Sequence, residues 1–241
     1  MTSPLTIQNL NKTRGDQVLL RNLNLQLQSG EIFALVGLNG AGKTTLIKII
    51  LDLVHSDFGF IALSGVCNVQ SQARDNLAYL PECFSAPSYL KVNEFLFYML
   101  GLYQQPICEI ELSALLRHFA LDEAFLNKRV ITLSKGTMQK VGLILMLLSQ
   151  KPLLLLDEPM SGLDPLARMA LKTSLRELKQ RGQTVLFSSH LLLDVEQLCD
   201  RVGILHHGEL LFCGSVEQCL AEYEADNMGL AFLAAVAGVG G

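Results

Sequence analysis

The stretch GLNGAGKTT at residues 37–45 constrains this chain more than any other feature. It fits G-x-x-x-x-G-K-[ST], with Gly37, Gly42, Lys43 and Thr44 at the fixed positions. Gly40 and Gly42, with small Ala41 between them, let the backbone curl until successive N–H groups, Asn39 and Thr45 included in the stretch, point into one concavity that suits an anion. Lys43 is long enough to reach β- and γ-phosphates, and the Thr44 hydroxyl can ligate Mg²⁺. The surroundings agree. Ile32, Phe33, Ala34, Leu35 and Val36 form an unbroken apolar run, which predicts a strand buried on both faces. Leu46, Ile47, Ile49, Ile50 and Leu53 then recur at near-helical spacing, so the phosphates would meet a helix N-terminus and its partial positive charge. A chance glycine-rich turn would carry neither the strand before nor the helix after.

Composition narrows the remaining choices. A chain of 241 residues, half of them apolar, can bury a substantial core as one large α/β domain or two small ones. Its net charge of −4, with no cluster of Lys and Arg, argues against a general nucleic-acid binder. No membrane span is expected, because the apolar blocks at 141–148 and 228–239 fall short of the ~20 residues that crossing requires. The start, MTSPLTIQNLNKTRG, has no charged segment followed by an apolar one, so no signal peptide is expected. Cys67, Cys83, Cys108, Cys199, Cys213 and Cys219 contain no C-x-x-C pair. They read as free thiols of a reducing compartment rather than as disulfides or metal ligands, and the chain as cytoplasmic.

Along the chain, residues 5–7 and 18–27 are predicted as short strands of a small antiparallel sheet that leads into the core. Residues 60–63 and 78–80 are further strand candidates. Val92, Phe95, Leu96, Met99 and Leu102, then Leu112, Leu115, Leu116 and Phe119, have helical period. Residues 90–128 therefore read as a helical insertion, and with the helix after Ser134 the helical part spans about 84–148. Leu153, Leu154, Leu155 and Leu156 followed by Asp157 and Glu158 describe a central strand whose C-terminal end delivers two carboxylates. A helix over 165–181, a strand over 184–189 ending at His190, and a hairpin around His206-His207-Gly208 complete the order.

A phosphate loop and an acidic strand end imply a nucleoside triphosphatase, with Asp157 holding Mg²⁺ through water and Glu158 polarising the attacking water. The remaining motifs resemble one family over essentially the whole length, the ATP-binding subunits of ABC transporters. LSKGTMQK at 133–140 looks like the signature usually written LSGGQ, and it lies shortly before LLLLDEP. SGLD at 161–164 matches the D-loop, YLPE at 79–82 stands at the Q-loop, and His190 matches the switch histidine. The resemblance implies an α/β fold: a P-loop NTPase core of the ABC ATPase type, with an N-terminal antiparallel β-subdomain and an inserted helical subdomain, within a single domain 1–241. It implies ATP and Mg²⁺ as ligands. It also implies a homodimer in which Ser134 and the Gly136 backbone contact the γ-phosphate bound by the partner, Asp164 links the two sites and His190 senses the γ-phosphate. The work would be transport across a membrane through a multi-span permease subunit, with Phe84, Tyr89 and Leu90 facing one of its helices.

The chain departs from the pattern in three places. Lys135 and Thr137 replace the second glycine and the glutamine of the signature, which looks like the ABC-2-type exporter branch. Glu82 stands where the Q-loop glutamine is usual; it offers an oxygen to Mg²⁺ but no amide donor. Arg14 stands where an aromatic usually stacks on adenine, with Thr13 the other position the register allows. Two rival functions remain. A soluble ABC-type ATPase acting on nucleic acid or ribosomes usually has fused nucleotide domains, a coiled-coil insertion or basic appendages. A small-molecule P-loop kinase has no use for the signature, D-loop and switch histidine.

Overall fold

The computed structural model describes residues 2–238 and divides their strands between two sheets. β1 (Leu5–Arg14) and β2 (Gln17–Gln26) form an antiparallel hairpin. The chain then leaves as β3 (Ile32–Val36), passes through α1 (Lys43–Ile50), and returns as β4 (Phe58–Leu63) and β5 (Val66–Cys67) to complete a sheet of order β2-β1-β4-β5. β1 runs seven residues beyond the predicted end at Ile7. Its register shifts between Ile7 and Leu10, and Asn9 takes φ 48°. Asparagine tolerates that left-handed conformation, and the bulge scrambles the alternation that reveals a strand. Asparagine side chains fill the interrupted ladder: Asn9 N–H donates to Asn24 Oδ1 and Asn22 N–H to Asn11 Oδ1.

The second sheet takes β3 together with β6 (Leu77–Leu80), β7 (Leu153–Leu156), β8 (Thr184–Ser189), β9 (Arg201–His206) and β10 (Glu209–Ser215), in the order β10-β9-β3-β8-β7-β6. All neighbours are parallel except the β9–β10 hairpin. β7 is an interior strand, one place from the edge. The segment between β6 and β7 carries α2 (Val92–Leu102), α3 (Glu109–His118) and α4 (Lys135–Leu148). Its described β-pairing is the isolated bridge between Lys91 and Arg129. α5 (Pro165–Gln180), α6 (Leu192–Leu198), α7 (Val216–Glu222) and α8 (Met228–Ala237) follow. The apolar tail expected at 228–239 is thus helix through Ala237, and Val239 lies outside the described residues. No helix among the described residues is long and apolar enough to cross a membrane.

The parallel sheet separates two cores. Ile32, Ala34 and Val36 of β3 face one, together with Leu154, Leu156, Val185, Phe187 and the apolar faces of α2 to α8. Phe33 and Leu35 face the other, with Leu155, Leu186, the small sheet and α1. α1 is therefore buried between the two sheets through Leu46, Ile47, Ile49 and Ile50. Leu53, expected on its face, lies beyond its end and is exposed, because the chain turns at Asp52 with φ 60°. Full burial of a Leu, Ile or Phe contributes ~1.5–3 kcal/mol. A slip of β3 by one residue would turn all five of its side chains toward the wrong core. The register that avoids this sets the C-terminal ends of β3, β8 and β7 side by side, at the edge where open parallel sheets bind ligands.

Candidate functional site

The loop between β3 and α1 is held in shape by its neighbours before any ligand enters. Gly208 N–H donates to Ala41 O at 3.1 Å, and Ala41 N–H to Leu38 O at 3.1 Å. Two glycines are required by this packing. A Cβ on Gly37 would lie 2.4 Å from Leu205 O, and Gly42 takes φ 112° with a Cβ position 2.9 Å from Leu19 O. No side chain caps α1, so the orphan N–H groups of its first turn face the cleft, a ready anion site.

Lys43 is buried, and its Nζ donates to Gly37 O at 2.7 Å and Leu38 O at 3.4 Å. The same ammonium lies 3.5 Å from Glu158 Oε1. Across the cleft Thr44 Oγ1 donates to Asp157 Oδ2 at 2.8 Å. Asp157 is almost fully buried and its amide is tied to Leu80 O at 2.8 Å. Two hard oxygens in contact, one from a buried carboxylate, suit Mg²⁺, which takes one or two protein oxygens and completes its shell with water and phosphate. Glu158 takes φ 47°, a conformation that costs of order 1–3 kcal/mol in a non-glycine residue and persists only where neighbours enforce it. His190 enforces the side chain, Nδ1–H donating to Glu158 Oε2 at 2.8 Å.

Ser188 enforces the backbone, and the sequence reading assigned it no role. Its fully buried hydroxyl accepts the Glu158 N–H at 2.8 Å and donates to Asp157 Oδ1 at 2.5 Å. One side chain on β8 thus aligns both acids at the end of β7. Burial, reinforced by the charge of Asp157, pushes the nearby Tyr79 hydroxyl up to about 12.

Lys43, Thr44, Glu158 and His190 border a polar cleft of about 530 Å³, which also takes in Asn39, Gly40, Thr45 and Glu82. Gln17 and Leu19 of β2 form its far side; neither was singled out from sequence. Arg14 lies at the turn of the same hairpin, paired across it with Gln17, and does not itself border the cleft. Thr13 is committed elsewhere: its N–H and Oγ1 both donate to Asp57 Oδ2, at 2.6 and 2.7 Å. Hydrogen bonds from Lys12 first, then from Thr13, hold the Asp57 carboxyl down at about 2.

Besides Arg14, the expected site residues Ser134, Gly136 and Asp164 are not brought into this cleft. Ser134 caps α4, accepting the Thr137 N–H at 3.2 Å, and Gly136 lies in the first turn of that helix. Asp164 caps α5 by accepting the Ala167 N–H at 2.9 Å and pairs with Lys140 Nζ at 2.8 Å. The Lys140 hydrogen bond, then that of Ala167, holds its carboxyl below the usual range. The side chain of Asp164 is therefore engaged within its own chain. The apolar trio after β6 also divides. Phe84 and Leu90 pack on the core, Phe84 against Phe95 and Gly142, and Tyr89 alone is exposed.

The chain is similar to known proteins. The family profile described as ABC transporter matches residues 20–161. An uncharacterized ABC transporter ATP-binding protein of Synechocystis sp. is 39% identical over 208 residues, covering 85% of this chain and 59% of that one. The chain spans 62% of the length of a comparable Nostoc protein. A Nod factor export ATP-binding protein of Burkholderia lata is 33% identical over 217 residues, 88% of this chain and 71% of its own. A solved structure described as the ATP binding subunit of an ABC transporter superposes with a TM-score of 0.89 at 31% identity, over 97% of this chain and 100% of that one.

Proposed function

This chain belongs to the ABC transporter family of ATP-binding proteins, and from that premise we propose that it hydrolyses ATP to drive export through a membrane-embedded partner. The observation that carries the proposal is the network at the sheet edge. Thr44 meets Asp157, Glu158 is held between His190 and Lys43, and Ser188 fixes both acids. The loop amides and the N-terminus of α1 take the phosphates. Lys43 exchanges the carbonyls of Gly37 and Leu38 for phosphate oxygens. Thr44, Asp157 and Glu82 would hold Mg²⁺, which when bound neutralises charge developing on the phosphates. Glu158 orients the attacking water, and His190 keeps that carboxylate aimed. For the base, Arg14 is the contact we propose. Thr13 is spent on Asp57, and a guanidinium plane can stack on a ring face.

The active unit is two copies, with Ser134 and the Gly136 backbone of one completing the phosphate site of the other. Asp164 acts there through the turn it anchors rather than by a free carboxylate. Tyr89 meets the membrane partner, and Phe84 and Leu90 shape the surface under it. Export as the direction is supported by the relative named for Nod factor export.

Nucleotide titration and phosphate release on wild type and Glu158→Gln test the reading. The variant should keep ATP affinity and lose turnover by about 10²–10³-fold, the scale set by removing one transition-state contact. Arg14→Ala in the same titration should weaken ATP and GTP together. Undiminished turnover in Glu158→Gln would overturn the catalytic assignment, and unchanged affinity in Arg14→Ala the base contact.

A further inference from the structure

Beside the polar cleft lies a second hollow of about 590 Å³, and its walls are apolar. Gly37, Leu38 and His190 form the wall toward the phosphate loop; Leu230, Phe232 and Leu233 of α8 form the other. α8 reads MGLAFLAAVA, with no charged residue. A helix apolar all round is normally buried all round. Here Met228, Ala231, Phe232 and Ala235 pack on the core, while Leu230 and Leu233 are 49% and 64% exposed. Leu38, in the loop itself, is 55% exposed. An uncovered apolar strip thus runs from α8 onto the phosphate loop, of the kind that marks an interaction surface.

A second uncovered pair stands at the start of α5. Leu166 and Met169, three residues apart on one helical face, are 70% and 66% exposed. They follow the turn at 161–164, which is pressed onto α4 so closely that a Cβ on Gly136 would lie 2.7 Å from Gly162 O. The pair is therefore fixed beside Ser134 and Gly136, as the α8 strip is fixed beside the loop.

We propose that a second copy of this chain covers the α8 groove by inserting its Leu166 and Met169. The inference rests on the two-copy reading above. If Ser134 and Gly136 of one copy meet the loop of the other, the apolar pair beside the former is carried onto the apolar strip beside the latter. Two-fold symmetry makes the contact twice, each copy supplying one pair and one strip. His190 borders both the polar cleft and the groove. Seating of the partner's side chains is thereby felt at the imidazole that holds Glu158.

Sedimentation of Glu158→Gln with saturating ATP and Mg²⁺ supplies the test. The dimer should form, and adding Leu233→Asp or Met169→Asp should weaken it at least about tenfold, the effect of losing one well-buried interface residue. ATP affinity of the monomer should not change, since both side chains are exposed. A second measurement does not depend on weakening. Met169→Cys with Leu233→Cys, in a chain whose exposed Cys83, Cys108 and Cys213 are serine, should be joined across copies by a short bismaleimide when ATP is present and not otherwise. Undiminished dimerisation of both aspartate variants with no cross-link overturns the α8 contact and leaves the two-copy reading standing. A Glu158→Gln chain that stays monomeric with ATP overturns both.

Discussion

At Ser188 a single hydroxyl satisfies two demands, and its removal separates them. Ser188→Ala leaves the Glu158 N–H without an acceptor and Asp157 Oδ1 without its donor, both in a buried setting. Each orphaned group costs ~1–3 kcal/mol, so we expect a clear fall in thermal stability. Turnover should drop by more than tenfold while ATP affinity changes little, because the loop and Lys43 are untouched. Thermal denaturation and steady-state kinetics check this; normal turnover would show that the strained Glu158 needs no such anchor. The individual residues of the loop and the two acids were legible because each motif position maps onto one chemical task. Ser188 was not, since a serine near the end of an apolar strand announces no partner. Its signal was only that a polar group in a strand buried on both faces must have one. Asp164 is the converse case. Its motif position implied a role between sites, whereas its carboxylate caps its own helix.

Among the elements, the glycines of the helices sort by what surrounds them. Gly136 in α4 has no room, its would-be Cβ lying 2.7 Å from the backbone carbonyl of Gly162, whereas Gly101 in α2 has nothing within 4 Å. Gly136→Ala should force the 161–164 turn away from α4, costing ~1–3 kcal/mol as overpacking does, and should impair ATP-driven dimerisation. Gly101→Ala should stabilise the fold by ~0.5–1 kcal/mol through helix propensity. Equal effects of the two in denaturant titrations would refute the steric argument. Element type was readable wherever a period ran unbroken, as in α2, α5, β3 and β7. Element bounds failed where backbone geometry interrupts the period. β1 looked three residues long because a bulge at Asn9 shifts its register, and α1 looked longer because Leu53 keeps the spacing after the chain has turned at Asp52.

The molecule as a whole is unevenly secured. α2 and α3 contribute to one core only, and the chain around them is stitched by Val92 N–H to Lys128 O and Val130 N–H to Leu90 O. β3, in contrast, is packed on both faces and paired on both edges. Native-state hydrogen exchange should therefore find α2 and α3 opening at a free energy below that of global unfolding, and β3 only with the whole. Exchange of all three at one common free energy would contradict this. The double burial of β3 also decides which mutations can sense one another. Leu35 and Val36 are covalent neighbours, yet they point into separate cores, so their truncations should sum almost independently. Ala34 and Phe187 stand 153 positions apart in the chain but are register partners within one core, and theirs should not. In this strand, thermodynamic kinship skips every other residue.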